Sequence, residues 1–106
     1  GVQQIAFSCD DIFTAAAAIG SQFQLPIPDN YYLDLDARFA LEPELLARMK
    51  QHNIMYDRNE QGEFFHFYTR EANGVFFEIL QREGDYQQYG EPNAHIRLAA
   101  QSRLYK

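Results

Sequence analysis

With 106 residues the chain has room for one small domain, and a 46% hydrophobic, 15% aromatic composition is enough for a packed core. Nine basic against fifteen acidic residues, a net charge of −6, argue against nucleic acid or an anionic membrane as partner, because no basic patch is available to meet phosphate. The one cysteine, Cys9, allows no internal disulfide and points to a reducing, cytoplasmic compartment, and no apolar run is long enough to span a membrane.

"GVQQIAFS" alternates as a strand from Val2 to Ser8, with Ile5 and Phe7 on one face and Val2, Gln4, Ala6 and Ser8 on the other. It reads as a buried strand, so the long amide of Gln4 needs a hydrogen-bond partner, water, a metal or a ligand. Asp10 and Asp11 are placed to cap a helix through "DIFTAAAAIG", with Ile12, Phe13, Ala16 and Ile19 as its apolar flank and a stop near Gly20. Pro26 and Pro28 make "LPIPDNYY" a rigid extended connector. Asp29 or Asn30 then caps a short helix through "YYLDLDARF". Glu42 and Pro43 open a further helix, "PELLARMKQH", with Leu45, Leu46 and Met49 as its buried stripe and Asn53 as a left-handed terminator. "NIMYDR" is a short strand and "NEQG" a turn. "EFFHFYTR" and "VFFEILQR" are aromatic strands joined by "EANG" as a hairpin. The tail from "EGDYQQYG" onward is polar at first and weakly patterned later, so its structure is left open. A chain that starts at Gly1 rather than Met and enters strand pattern at once reads as a piece of a longer protein.

The order predicts an α+β fold: a single βαβββ module with a helical insertion, its sheet concave on one face, over residues 1–84, followed by a C-terminal tail, 85–106. One face of the sheet carries the helix and the other is expected to stay open. Side chains alternate along a strand, so Phe64, His66 and Tyr68 share one face, as do Phe76, Glu78 and Leu80. Val75, Phe77, Ile79 and Gln81 suit the helix-covered side. Together with Gln4, the first set makes an aromatic hollow with three polar side chains near its centre. Each has an ordinary alternative: Gln4 as a hydrogen-bonded edge residue, His66 as a satisfied core histidine. Glu78 is less easily dismissed, because a carboxylate within "VFFEILQ" demands a cation or several donors. His52 and His95 read as surface residues.

"GVQQIAF", "LPIPDNYY", "NIMYDRNEQGEFFHFYTR" and "VFFEILQR", in that order from Gly1 to about Arg82, resemble the last βαβββ module of 4-hydroxyphenylpyruvate dioxygenase, in the vicinal-oxygen-chelate superfamily. The tail, "GDYQQYGEPNAHIRLAAQ", is similar to the dioxygenase-like domain fused behind a sugar-phosphate-isomerase-type barrel in bacterial 3-dehydroshikimate dehydratases, where the dehydratase chemistry belongs to the barrel. The resemblance implies Fe(II) held by two histidines and a glutamate, with open positions for an aromatic 2-oxo acid and oxygen. Glu78 matches the glutamate ligand, and Gln4 stands where the family has a histidine. The second histidine lies in a preceding module outside this chain. His66 falls at a substrate-facing glutamine position and Tyr68 at an aromatic that clamps the substrate ring, and the family's C-terminal gating helix has no clear counterpart. In the related glyoxalase I, a glutamine and a glutamate serve as one module's ligands, so Gln4 and Glu78 are candidate metal ligands, with weakened Fe(II) affinity.

An open aromatic hollow is costly in water, at roughly 25 cal/mol per Å² of apolar surface. The expectation is a symmetric homodimer in which a second copy stands in for the missing module. Two readings follow. One is a fragment of a metal-dependent 4-hydroxyphenylpyruvate dioxygenase-like protein, inactive alone, with an altered metal site. The other is a non-catalytic folding or oligomerisation domain of a fused 3-dehydroshikimate dehydratase.

Overall fold

A computed structural model describes residues 1–104. The first strand, β1 (Gln3–Ser8), runs into a helix, α1 (Ile12–Ile19), whose N-cap is Asp11. The Asp11 carboxylate accepts from the backbone N–H groups of Phe13 and Thr14 and from the Thr14 hydroxyl. The last of these leads in holding its pKa below the ordinary value. After a 3₁₀ turn, Ser21–Phe23, the connector leads to α2 (Asp29–Phe39) and α3 (Pro43–Gln51). The cap of α2 is Pro28, not Asp29 or Asn30 as expected. Proline's fixed extended backbone (φ −69°, ψ 151°) opens the helix, so Asp29 lies in the first turn, where its charge meets the positive end of the helix dipole. In α3, Pro43 takes the first turn, Met49 is buried, and Leu45 and Leu46 are half-buried. The chain reverses at Asn53 (φ 56°), as its residue type suggested.

Three strands follow, β2 (Met55–Arg58), β3 (Gly62–Tyr68) and β4 (Val75–Gly84), and the open sheet has the order β1-β4-β3-β2. β1 runs parallel to β4, and the other neighbours are antiparallel. The chain is thus the predicted α+β module of βαβββ order with a helical insertion. The registers Tyr68↔Glu78 and His66↔Leu80, with Gln4↔Phe76 and Ala6↔Glu78, put Gln4, His66, Tyr68 and Glu78 on one face. The opposite face packs Phe65, Phe67 and Ile79 against α1, with the Phe13 and Phe65 rings 6.4 Å apart edge to face. α2 closes the β2 edge: the Tyr31 hydroxyl accepts from the Tyr56 N–H, and the Tyr32 hydroxyl donates to the Ile54 carbonyl.

Two expectations are corrected. β1 is exposed along its whole length rather than buried, because it is an edge strand with a neighbour on one side only. Its Phe7 (54% exposed) and the adjacent Phe77 (38%) therefore lie bare on the helix side, their rings 5.7 Å apart. Nor is the other face open, because the tail folds over it. Tyr86 stacks on Phe64 at 5.1 Å with the rings 12° from parallel, and its hydroxyl donates to Asp57 at 2.5 Å. Gly90 (φ 66°) passes so close that a Cβ there would sit 2.8 Å from the Phe64 ring and 3.2 Å from His66 Nε2. A 3₁₀ turn, Glu91–Asn93, then leads to a helix, α4 (Ala94–Leu104), which places Arg97 over the Tyr68 and Phe76 rings at 5.6 and 5.4 Å. No helix among the described residues is long and apolar enough to cross a membrane.

Burial raises the pKa of five tyrosines, Tyr31, Tyr32, Tyr56, Tyr68 and Tyr86, helped at Tyr56, Tyr68 and Tyr86 by Glu63, Glu78 and Asp57 respectively. The folded state therefore keeps protons that the unfolded chain gives up near pH 10. Their contribution is complete below about pH 10 and is lost as the pH rises further, since unfolding then releases up to five protons. Most of the tyrosinate absorbance, that of five of the seven tyrosines, should appear together with loss of circular dichroism; ionisation of most of them ahead of unfolding would contradict it.

Candidate functional site

Glu78 lies near the middle of β4, 6% exposed, and each of its carboxylate oxygens has a partner. Gln4 Nε2 donates to Oε1 at 2.8 Å from the exposed edge strand. His66 Nδ1 lies 2.9 Å from Oε2, from the neighbouring strand β3, where His66 is fully buried. Beyond the imidazole, His66 Nε2 lies 3.0 Å from the side-chain amide of Asn93. That amide also donates to the Tyr56 carbonyl at 3.0 Å, and its oxygen accepts from the Tyr31 hydroxyl at 3.0 Å. A string of hydrogen bonds thus runs from the surface at Gln4 through Glu78, His66 and Asn93 to the β2 edge. Tyr68, 5% exposed, stands beside Glu78; burial raises its pKa, and the Glu78 charge adds to the shift while Arg97 opposes it.

The four residues singled out in the sequence are therefore brought together. Asn93, Arg97 and Tyr86, which the sequence did not reveal, complete the site from the tail. Seven and four residues apart, they match a helix spacing, but across a segment that Gly90 and Pro92 interrupt, so the spacing was no usable signal; the one available signal was a Gly-Pro-Asn cluster after an aromatic strand. His52 is half-buried edge-on to Phe13, and His95 is exposed.

These side chains do not by themselves fit Fe(II). A facial site needs three protein donors, and no three of His, Cys, Asp and Glu come together in a metal-holding group among the described residues. His66 turns one ring nitrogen to Glu78 and the other to Asn93, so neither is free. Gln4 and Glu78 are the two donors the chain could offer, and Gln4 currently presents its NH₂ rather than its oxygen to the carboxylate.

A parallel edge strand and three antiparallel strands, with a buried glutamate facing a rim glutamine, make a βαβββ module, and in sequence and fold it is similar to modules of the 4-hydroxyphenylpyruvate dioxygenase-like class. In sequence it is 47% identical to a 3-dehydroshikimate dehydratase of Pseudomonas putida, over 97% of this chain and 17% of the relative. Identity is 46% to a 3-dehydroshikimate dehydratase of Pseudomonas aeruginosa, with the same coverage, and 34% to a 4-hydroxyphenylpyruvate dioxygenase of that organism, over 88% of this chain and 27% of the relative. Its fold matches a xylose isomerase-like TIM barrel/4-hydroxyphenylpyruvate dioxygenase fusion protein with a TM-score of 0.91 and 44% identity, over the whole chain and 18% of the fusion. A substituted 4-hydroxymandelate synthase from Streptomyces coelicolor matches at 0.83 with 29% identity, over the whole chain and 31% of the synthase. The chain thus spans less than a third of each of these proteins. No protein-family model matches it.

Proposed function

We propose that this chain is a pairing half-domain with an altered metal site, working within a larger protein of the 3-dehydroshikimate dehydratase kind rather than as an iron dioxygenase. The observation that carries this reading is the state of Glu78. Both of its oxygens meet side chains of the same chain, and one of those is Gln4, at the family's histidine position. The higher identity to the dehydratases than to the dioxygenase supports it as well. In this reading the dehydration is carried out elsewhere in the larger protein, in its barrel, and in the cytoplasm.

The partner is a second βαβββ module, which a second copy of this chain replaces when the chain is studied alone. The tail already covers most of the hollow, so the drive to pair comes from β1. Its outer edge has no neighbouring strand among the described residues; Ile5 and Phe7 are exposed on it, and Val2 just before it. Sedimentation should give a dimer at micromolar concentration, and Phe7→Glu should give a monomer. A wild-type monomer at every concentration would remove the pairing claim.

The altered site has its own test. With Fe(II) and 4-hydroxyphenylpyruvate, an aromatic 2-oxo acid, the chain should consume no oxygen. Metal analysis of Gln4→His should show iron rising from well below one ion per pair of chains to about one, since imidazole replaces a weaker amide donor. Turnover, or stoichiometric tight iron in the unsubstituted chain, would overturn the altered-site claim without touching the pairing claim.

A further inference from the structure

We propose that Asn93 is a positioning residue for the site carboxylate, acting through His66. It fixes the imidazole as the Nδ1–H tautomer, and that N–H in turn fixes Glu78. The proposal rests on hydrogen-bond geometry within the chain and stands whether or not the chain pairs or holds a metal.

The orientation of the Asn93 amide is set by chemistry, since one end lies 3.0 Å from the Tyr56 carbonyl oxygen, which can only accept. Placing the amide oxygen there would set two acceptors against each other in a buried site, so that end must be the NH₂. The other end accepts from the Tyr31 hydroxyl, which itself takes the Tyr56 N–H at 3.0 Å. The NH₂ has two hydrogens. One goes to the Tyr56 carbonyl, and the other points at His66 Nε2, 3.0 Å away. A nitrogen that receives a hydrogen bond carries no proton, so the proton of the neutral ring sits on Nδ1. Nδ1 lies 2.9 Å from Glu78 Oε2, so this carboxylate oxygen is an acceptor with a fixed donor.

The consequence is a division of labour between the two oxygens of Glu78. Oε2 is pinned from the buried side, through a relay whose far end lies in the tail. Oε1 faces the rim, where its partner Gln4 is exposed. Whatever meets this site meets Oε1 and Gln4. His66, fully buried and with both nitrogens engaged, serves to aim the carboxylate rather than to act as a ligand or a base. Gly90 lets the chain pass this close, because a Cβ there would meet the Phe64 ring at 2.8 Å and crowd His66 Nε2 at 3.2 Å.

Nitrogen-15 spectra of the imidazole rings in the full chain report which ring nitrogen carries the proton. The unsubstituted protein should show His66 protonated at Nδ1 and bare at Nε2. In Glu78→Gln the new amide can either accept from or donate to Nδ1, so residue 78 no longer dictates the tautomer. If Asn93 sets it, the Nδ1–H pattern persists. Adding Asn93→Ala to Glu78→Gln should then let the Nε2–H form appear. A purely structural role for Asn93 would change stability without changing the tautomer. Nε2–H in the unsubstituted protein overturns the proposal even if no variant folds. A switch to Nε2–H in Glu78→Gln alone overturns it too, as does an unchanged Nδ1–H pattern in the double variant.

Discussion

Replacing Glu78 with alanine should cost about 2–3 kcal/mol of folding stability, and Glu78→Gln about 1 kcal/mol, both read from urea unfolding midpoints. The difference lies in what each variant leaves behind. Alanine takes away the acceptor for His66 Nδ1, and the imidazole is fully buried, so that N–H is left with neither protein nor water. An unmade buried hydrogen bond is expensive because the folded state loses a bond that the unfolded chain still makes with solvent. Glutamine keeps a carbonyl in nearly the same place and so keeps that bond. On the Gln4 side little is at stake, since Gln4 is exposed and water can take over. Equal losses in the two variants would mean that the His66 contact contributes nothing. A variant more stable than the parent would be the more informative failure. A carboxylate kept for chemistry is held at a cost to stability, so a gain on its removal would favour a working site over a satisfied structural network.

The same residues show where sequence reasoning succeeds and where it stops. Strand parity is local: alternation in β1, β3 and β4 places Gln4, His66 and Glu78 on one face whatever else the chain does, and the register agrees. Which face stays open is not local. The aromatic strands gave no hint that Tyr86 would stack on Phe64, because ring stacking depends on a tail whose path is set by Gly84 and Gly90, both at positive φ. α4 escaped notice for a related reason. Its core-facing stripe, Ile96, Ala100 and Leu104, is only three residues spaced by four, and Leu98, 57% exposed on the other side, blurs it. The Pro28 cap was missed because Asp29 and Asn30 are strong capping residues by type, yet proline's backbone had already chosen the start. The resemblance suggested a metal-ligand position for Gln4, an expectation that no pattern within a single chain contains. It could not say that Asn93 would stand behind His66.

The other large effect is expected at Tyr86, where alanine should cost about 3–5 kcal/mol and phenylalanine about 1–2 kcal/mol. The ring is 2% exposed and stacks on Phe64, so removing it leaves a cavity against a wholly buried neighbour. The hydroxyl adds a separate contribution. It donates to Asp57 Oδ2 and accepts from the Gly90 N–H at 3.1 Å, and Asp57 is itself 9% exposed. Phenylalanine therefore strands a buried carboxylate oxygen and a backbone donor while keeping the packing. The two variants should differ in more than stability. Tyr86 is the first tail residue to enter the core, and Gly90, Asn93 and Arg97 follow it onto the same face. If Tyr86 anchors the tail, alanine should speed hydrogen exchange at the α4 amides well beyond the global loss, and phenylalanine should do so only slightly. Exchange in α4 that tracks global unfolding in both variants would instead mean that the tail is held by Asn93 and Ala100, with Tyr86 filling space. The contrast bears on the site, because a tail that lifts at Tyr86 also withdraws Asn93 from His66 and frees the ring that now aims Glu78.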